Sequence, residues 1–165
     1  MPSRRAVLTA CSASLCFIAG CPVWDSSPDI PRETRILDAQ TTIEPGAYEA
    51  WYLPERIDGA SLTTEDGYYQ FSYEFVVEEG PGVMVATTTS DELERRRKTD
   101  GPYRVWVETQ TEGKRGATSE QMPIDLLELL VVDNWLLDAG KQPDPDSATV
   151  RIQAYLSSPD RGSRN

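Results

Sequence analysis

Tyr68–Glu79 (YYQFSYEFVVEE) constrains the fold more than any other stretch. Tyr69, Phe71, Tyr73, Phe75 and Val77 fall on one side of a two-residue alternation. Gln70, Ser72, Glu74 and Glu78 fall on the other. This periodicity belongs to a strand with one buried face. An aromatic stripe of this kind can serve as a ligand platform, but packing into a core is its commoner use, so a second layer has to cover it.

The rest of the chain supplies strands for that layer. Arg32–Ile43 reads as one strand, Glu44-Pro45-Gly46 as a turn, and Ala47–Leu53 as an aromatic strand. Pro54–Asp66 reads as a loop. Val83–Thr88 (VMVATT) follows the Gly80-Pro81-Gly82 turn as another strand. Tyr103–Thr109 alternates, with Tyr103, Val105 and Val107 opposed to Arg104, Trp106 and Glu108. Glu112–Gly116 is hairpin-like, and Thr118–Met122 fits a short edge strand stopped by Pro123. In Ile124–Trp135 a helix over Ile124–Leu130 is followed by a buried strand over Leu129–Asp133, stopped by Asp133-Asn134. Ala148–Leu156 closes the series, with Val150, Ile152, Ala154 and Leu156 inward and Thr149, Arg151, Gln153 and Tyr155 outward.

Helix is scarce. Thr89-Ser90-Asp91-Glu92 has the form of a capping box ahead of a short helix over Ser90–Lys98. Its acids come first and its bases (Arg95, Arg96, Arg97 and Lys98) last, which suits the helix dipole. That basic cluster is either a site for an anionic partner or a dipole complement engaged in salt bridges. Seven or eight strands separated by turns, with one short helix, predict a mostly β protein: an antiparallel β-sandwich, jelly-roll-like in order.

The first 21 residues give an address. Met1–Arg5 holds Arg4 and Arg5, and Ala6–Gly20 is uncharged and apolar or small. That run suits a signal peptide and is shorter than the roughly 20 residues of a membrane-spanning helix. Ser3-Arg4-Arg5-Ala6-Val7-Leu8 resembles a twin-arginine export signal, and Ile18-Ala19-Gly20-Cys21 resembles a lipoprotein lipobox. The resemblance implies cleavage before Cys21 and a lipid on that cysteine; an ordinary cleaved signal and an uncleaved anchor are the alternatives. The expected organisation is a signal peptide at 1–20, a proline-rich tether at 21–32, a β-sandwich domain at 33–156 and a disordered tail at 157–165. A tether of this length reaches at most about 35–40 Å, so the domain stays near the membrane.

Composition narrows the chemistry. The chain has 16 Lys and Arg, 27 Asp and Glu, and no His. Without Arg4 and Arg5 the remainder keeps 14 bases, a net charge of 14 − 27 = −13. That balance opposes binding to nucleic acid or to anionic headgroups. With Cys11 and Cys16 in the signal and Cys21 lipidated, no free thiol is left. Catalysis through Ser-His-Asp or Cys-His, zinc sites of the usual kind and Cys-held iron–sulfur clusters are then excluded. Carboxylate chemistry, oxygen-ligated metals and a Lys or Tyr base remain. High acid, only three lysines (Lys98, Lys114 and Lys141) and the export signal together resemble the proteins of halophilic archaea.

Pro45-Gly46-Ala47-Tyr48, the Tyr68–Glu79 strand, the charged Asp91–Lys98 segment and Leu130-Val131-Val132-Asp133-Asn134 occur in that order. This series resembles GOLD-like jelly-roll sandwiches of archaeal exported lipoproteins, over residues 33–156. The resemblance implies an interaction module facing carbohydrate or peptide, with no catalytic residues to transfer.

Candidate chemistry in the domain is sparse. Asp133, Asp138, Asp144 and Asp146 gather around one loop with Asn134 and form a weak calcium candidate, without EF-hand spacing. Asp125 and Glu128 are the acids expected nearest the core. Trp106 and Trp135 are the aromatic candidates for a binding surface. The expectation is a non-enzymatic, cofactor-free lipoprotein on the extracytoplasmic face of the membrane, binding an envelope protein or glycan. A small carboxylate-dependent hydrolase and a solute-binding lipoprotein are the alternatives.

At molar salt the screening length is about 3 Å, and surface acids scarcely repel; at low salt they push the fold apart. The thermal unfolding midpoint should therefore rise steeply with KCl or NaCl. A midpoint unchanged between low and multimolar salt would contradict the halophilic reading.

Overall fold

The structure, a computed structural model, describes residues 30–58, 67–99, 102–134 and 146–159. Its strands are β1 (Thr34–Ile43), β2 (Tyr48–Tyr52), β3 (Tyr68–Glu79), β4 (Val83–Thr88), β5 (Thr111–Gly113), β6 (Arg115–Pro123), β7 (Leu129–Asp133) and β8 (Ala148–Ser157). Helices α1 (Pro54–Asp58) and α2 (Ser90–Thr99) complete it, with short 3-10 turns at Val107–Thr109 and Ile124–Leu126.

The strands form two four-stranded antiparallel sheets, ordered β1-β8-β3-β6 and β2-β7-β4-β5. The pairs β1·β8, β2·β7, β3·β6 and β4·β5 are nested in sequence like one long hairpin. The pairs β3·β8 and β4·β7 join them side by side. A long hairpin rolled up in this way is the jelly-roll arrangement, so the protein is an antiparallel β-sandwich of that order.

The main core lies between the sheets. Phe71, Tyr73 and Phe75 of β3 and Val150, Ile152, Ala154 and Leu156 of β8 meet Val83 and Val85 of β4 and Leu130 and Val132 of β7. The inward sets expected for β3 and β8 are those observed. A bulge at Arg35/Leu37 lets the successive residues Ile36 and Leu37 both be buried, against strict alternation. Tyr73 carries a polar group into the centre. Its hydroxyl lies between the carbonyl oxygens of Val85 and Thr109, 3.0 Å from the Thr111 hydroxyl. Burial pushes its ionisation above the ordinary tyrosine range.

A smaller apolar cluster lies on the outer side of the second sheet. Met84, Ala86, Leu129 and Val131 are covered there by Leu93 of α2 and by Tyr103. The central strands of the second sheet, β4 and β7, are thus buried on both faces, and they show no apolar–polar alternation for that reason.

One turn and one strand position depend on missing side chains. Gly80 has φ +92°, and a Cβ there would collide with the backbone of Ser147 and Ala148. At Gly116 a Cβ would strike Thr111 and the Phe75 ring where β6 crosses the sandwich. The open edges are blunted by short β5, by the bulge in β1 and by Pro123 at the end of β6.

Four local expectations change. Pro54–Asp58 is a helical turn instead of loop, with Ile57 buried. Tyr103–Trp106 is not part of a sheet; beyond it the 3-10 turn swings Val107 to 74% exposure, although alternation groups it with the buried Tyr103. The helix expected over Ile124–Leu130 is only one 3-10 turn, Ile124–Leu126, ahead of β7. Ser157, expected to open the tail, is buried at the end of β8.

Candidate functional site

Two clusters of buried charge stand out from the cores, one on each outer face of the sandwich.

The first is built where β7 ends. Position 133 points to the outer face of the second sheet, like 129 and 131, and α2 lies over that face. Leu93 and Arg96, one helical turn apart, are the buried residues of α2. Arg96 engages Asp133 through both guanidinium amino groups, with 6% and 0% of the two side chains exposed. The Tyr103 hydroxyl lies 2.9 Å from the same carboxylate. The guanidinium is 4.9 Å from the Tyr48 ring centre and 5.0 Å from that of Tyr103, and it reaches the Gly46 carbonyl at 3.3 Å. Two rings, a hydroxyl and a carbonyl thus offset the cost of taking both ions out of water. Burial raises the Tyr103 ionisation, partly countered by the Arg96 charge.

Asn134 extends this cluster. Its amide nitrogen donates to the carbonyls of Ile43 and Asp146, and its backbone N–H to Ala47. One dipeptide, Asp133-Asn134, therefore ties α2, the β1–β2 turn and the entry to β8 together.

The second cluster lies on the outer face of the first sheet. Glu74, buried, accepts from Arg32 at 2.9 Å, and the Tyr155 hydroxyl lies 3.1 Å from its other oxygen and 2.8 Å from the Gln153 carbonyl. Burial first, and the neighbouring Glu74 charge second, push Tyr155 up. Beside it Ser72 and Ser119 are 2.8 Å apart, and Gln70 donates to Ser119.

The residues singled out from sequence fare differently. The basic run of α2 is engaged within the protein: Arg95 with Glu92, Arg96 with Asp133, Arg97 with the Tyr48 hydroxyl and Lys98 with Glu94. The capping box forms on one side. Thr89 accepts the Glu92 amide at 3.4 Å, but the Glu92 carboxylate turns to the Arg104 amide and to Arg95 instead of the Thr89 amide. Trp106 is half-buried against the main core, and its backbone N–H donates to Thr87. Asp133 is the buried partner of Arg96, and the Asp146 carbonyl holds Asn134. Asp138, Asp144 and Trp135 lie outside the described residues, as do Arg4, Arg5 and Cys21. Among the described residues no group of three or more acidic side chains is placed to hold a metal ion. Asp125 is exposed and Glu128 half-buried. Sequence reasoning did not single out Arg32, Glu74 and Tyr155. A clue was present in Glu74 and Tyr155, both outward by alternation on central strands.

Compared with known proteins, the chain matches no family model, no curated protein and no solved structure.

Removing one partner of a buried pair leaves an unpaired charge, at a cost of about 3–5 kcal/mol. Arg96→Met should lose stability on that scale in denaturant titrations at fixed salt. The double variant Arg96→Met/Asp133→Leu should recover most of it. A loss below about 1 kcal/mol for Arg96→Met would show that the pair behaves as a surface contact.

Proposed function

We propose that the protein is a twin-arginine-exported lipoprotein, anchored through Cys21 on the extracytoplasmic face of the membrane, whose sandwich binds an envelope protein or glycan. The observation that carries the reading is the order and spacing of Arg4-Arg5, the uncharged run Ala6–Gly20 and Cys21. Among the described residues no helix is long and apolar enough to cross a membrane; in this reading the anchor is the lipid on Cys21.

The topology supports a division of labour between the two ends. The chain enters the sandwich at Thr34, beside the end of β8. The turns at 44–47 and 80–82 and the end of β7 at Asp133-Asn134 lie at the opposite end, about 30 Å along a ten-residue strand. Loops facing away from the lipid are the natural contact for another envelope component, and Asn134 gives them a fixed base.

In cells, the full chain should fractionate with membranes and yield an N-terminal lipopeptide beginning at Cys21. Cys21→Ser should abolish the lipopeptide, and Arg4→Lys/Arg5→Lys should retain the protein in the cytoplasm. A chain that is released equally with and without Cys21 would overturn the reading. Crosslinking on intact cells then identifies the bound component.

A further inference from the structure

Among the described residues, no helix or strand lies over the outer face of the β1-β8-β3-β6 sheet. Yet Ser72, Glu74, Gln153, Tyr155 and Ser157 are buried there. The short segment ahead of β1 crosses this face. Ile30 is 6% exposed but belongs to neither apolar cluster. Arg32 pairs with Glu74, and its guanidinium carbon lies 5.8 Å from the Tyr155 ring centre. Glu33 then clips the segment to the end of β8, donating its N–H to the Ser157 hydroxyl and accepting from the Ser158 N–H.

Among the described residues, the two arginine pairs whose carboxylate is buried differ in one decisive respect. In Arg96–Asp133 both ends are buried, and the pair locks two elements together. In Arg32–Glu74 the carboxylate is 4% exposed while the arginine side chain is 42% exposed. The receptor half is built into two central strands and held by Tyr155 and Gln153. The ligand half sits on a segment that precedes the first strand, so its departure breaks no sheet pairing. A prearranged carboxylate with an aromatic face beside it suits the flat, stacking guanidinium group better than a compact ammonium.

We propose that Glu74, Tyr155 and Gln153 form a guanidinium-binding site, occupied in this chain by its own Arg32, and that an arginine side chain of a protein partner takes the same place. The proposal rests on reading the domain as a binding module and narrows the partner to a basic polypeptide. The charge of the chain fits this choice, because a strongly acidic surface steers basic partners toward it. A neutral glycan has no cation to exchange with Arg32.

The test is calorimetric titration of methylguanidinium into the full chain at constant high ionic strength. Arg32→Gln should bind it at least about tenfold more tightly than the native protein, in which Arg32 competes for the site. Methylammonium should bind Arg32→Gln more weakly than methylguanidinium, and Arg32→Gln/Glu74→Gln should bind neither. If Arg32→Gln fails to fold by circular dichroism, Arg32→Lys keeps the charge with a poorer fit, and it too should bind methylguanidinium more tightly than the native protein. Equal heats for Arg32→Gln and the double variant, or for Arg32→Lys and the native protein, would overturn the proposal. Either result leaves membrane anchoring through Cys21 untouched, because fractionation reads that separately.

Discussion

The ion pair between Arg96 and Asp133 is the contact on which most of this structure converges. It sits where an isolated charge would be least tolerated, under a helix and against a sheet. The chain surrounds it with a tyrosine hydroxyl, two aromatic faces and a backbone carbonyl. Arg96 also lies in the last turn of α2, where the helix dipole favours a cation. A helix with one buried leucine has little apolar grip on the sheet. The ion pair fixes where that helix lies, and Asn134, next in sequence, carries the constraint into the loops at that end of the sandwich.

The pair on the opposite face has the same chemistry and a different consequence. Glu74 is as well buried as Asp133, but its arginine comes from the segment that leads toward Cys21. What looks like plain tether in composition therefore has its last residue, Arg32, paired with the sheet, next to Glu33, which is clipped to β8. One outer face is sealed by α2. The other is crossed by a strap whose arginine remains in contact with solvent. That asymmetry separates a structural pair from an exchangeable one.

Much of the fold was legible because two-residue alternation is a local signal. The bounds of β3 and the inward sets of β3 and β8 follow from it directly. Strands β4 and β7 lack alternation because α2 covers their second face, which a strand pattern does not reveal by itself. The stretch at Tyr103–Thr109 alternates like a strand, yet a turn held by Thr87, Thr109 and Trp106 displaces it. The two sites were least legible. Arg96 meets Asp133 across 37 residues and Arg32 meets Glu74 across 42, and single-sequence spacing carries no trace of such contacts. Acids also abound in this chain, so the two that are buried do not stand out by type.

The central claim is that Arg96 and Asp133-Asn134 together couple the helix to the β1–β2 turn at that end of the sandwich. Native-state hydrogen exchange tests it most directly, because it reads each amide separately. In Arg96→Met the amides of Leu93, Gly46 and Asn134, bonded to Thr89, Asn134 and Ala47 respectively, should lose protection together while those of β3 keep theirs. Loss confined to α2, with Gly46 and Asn134 as protected as in the native protein, would contradict the account.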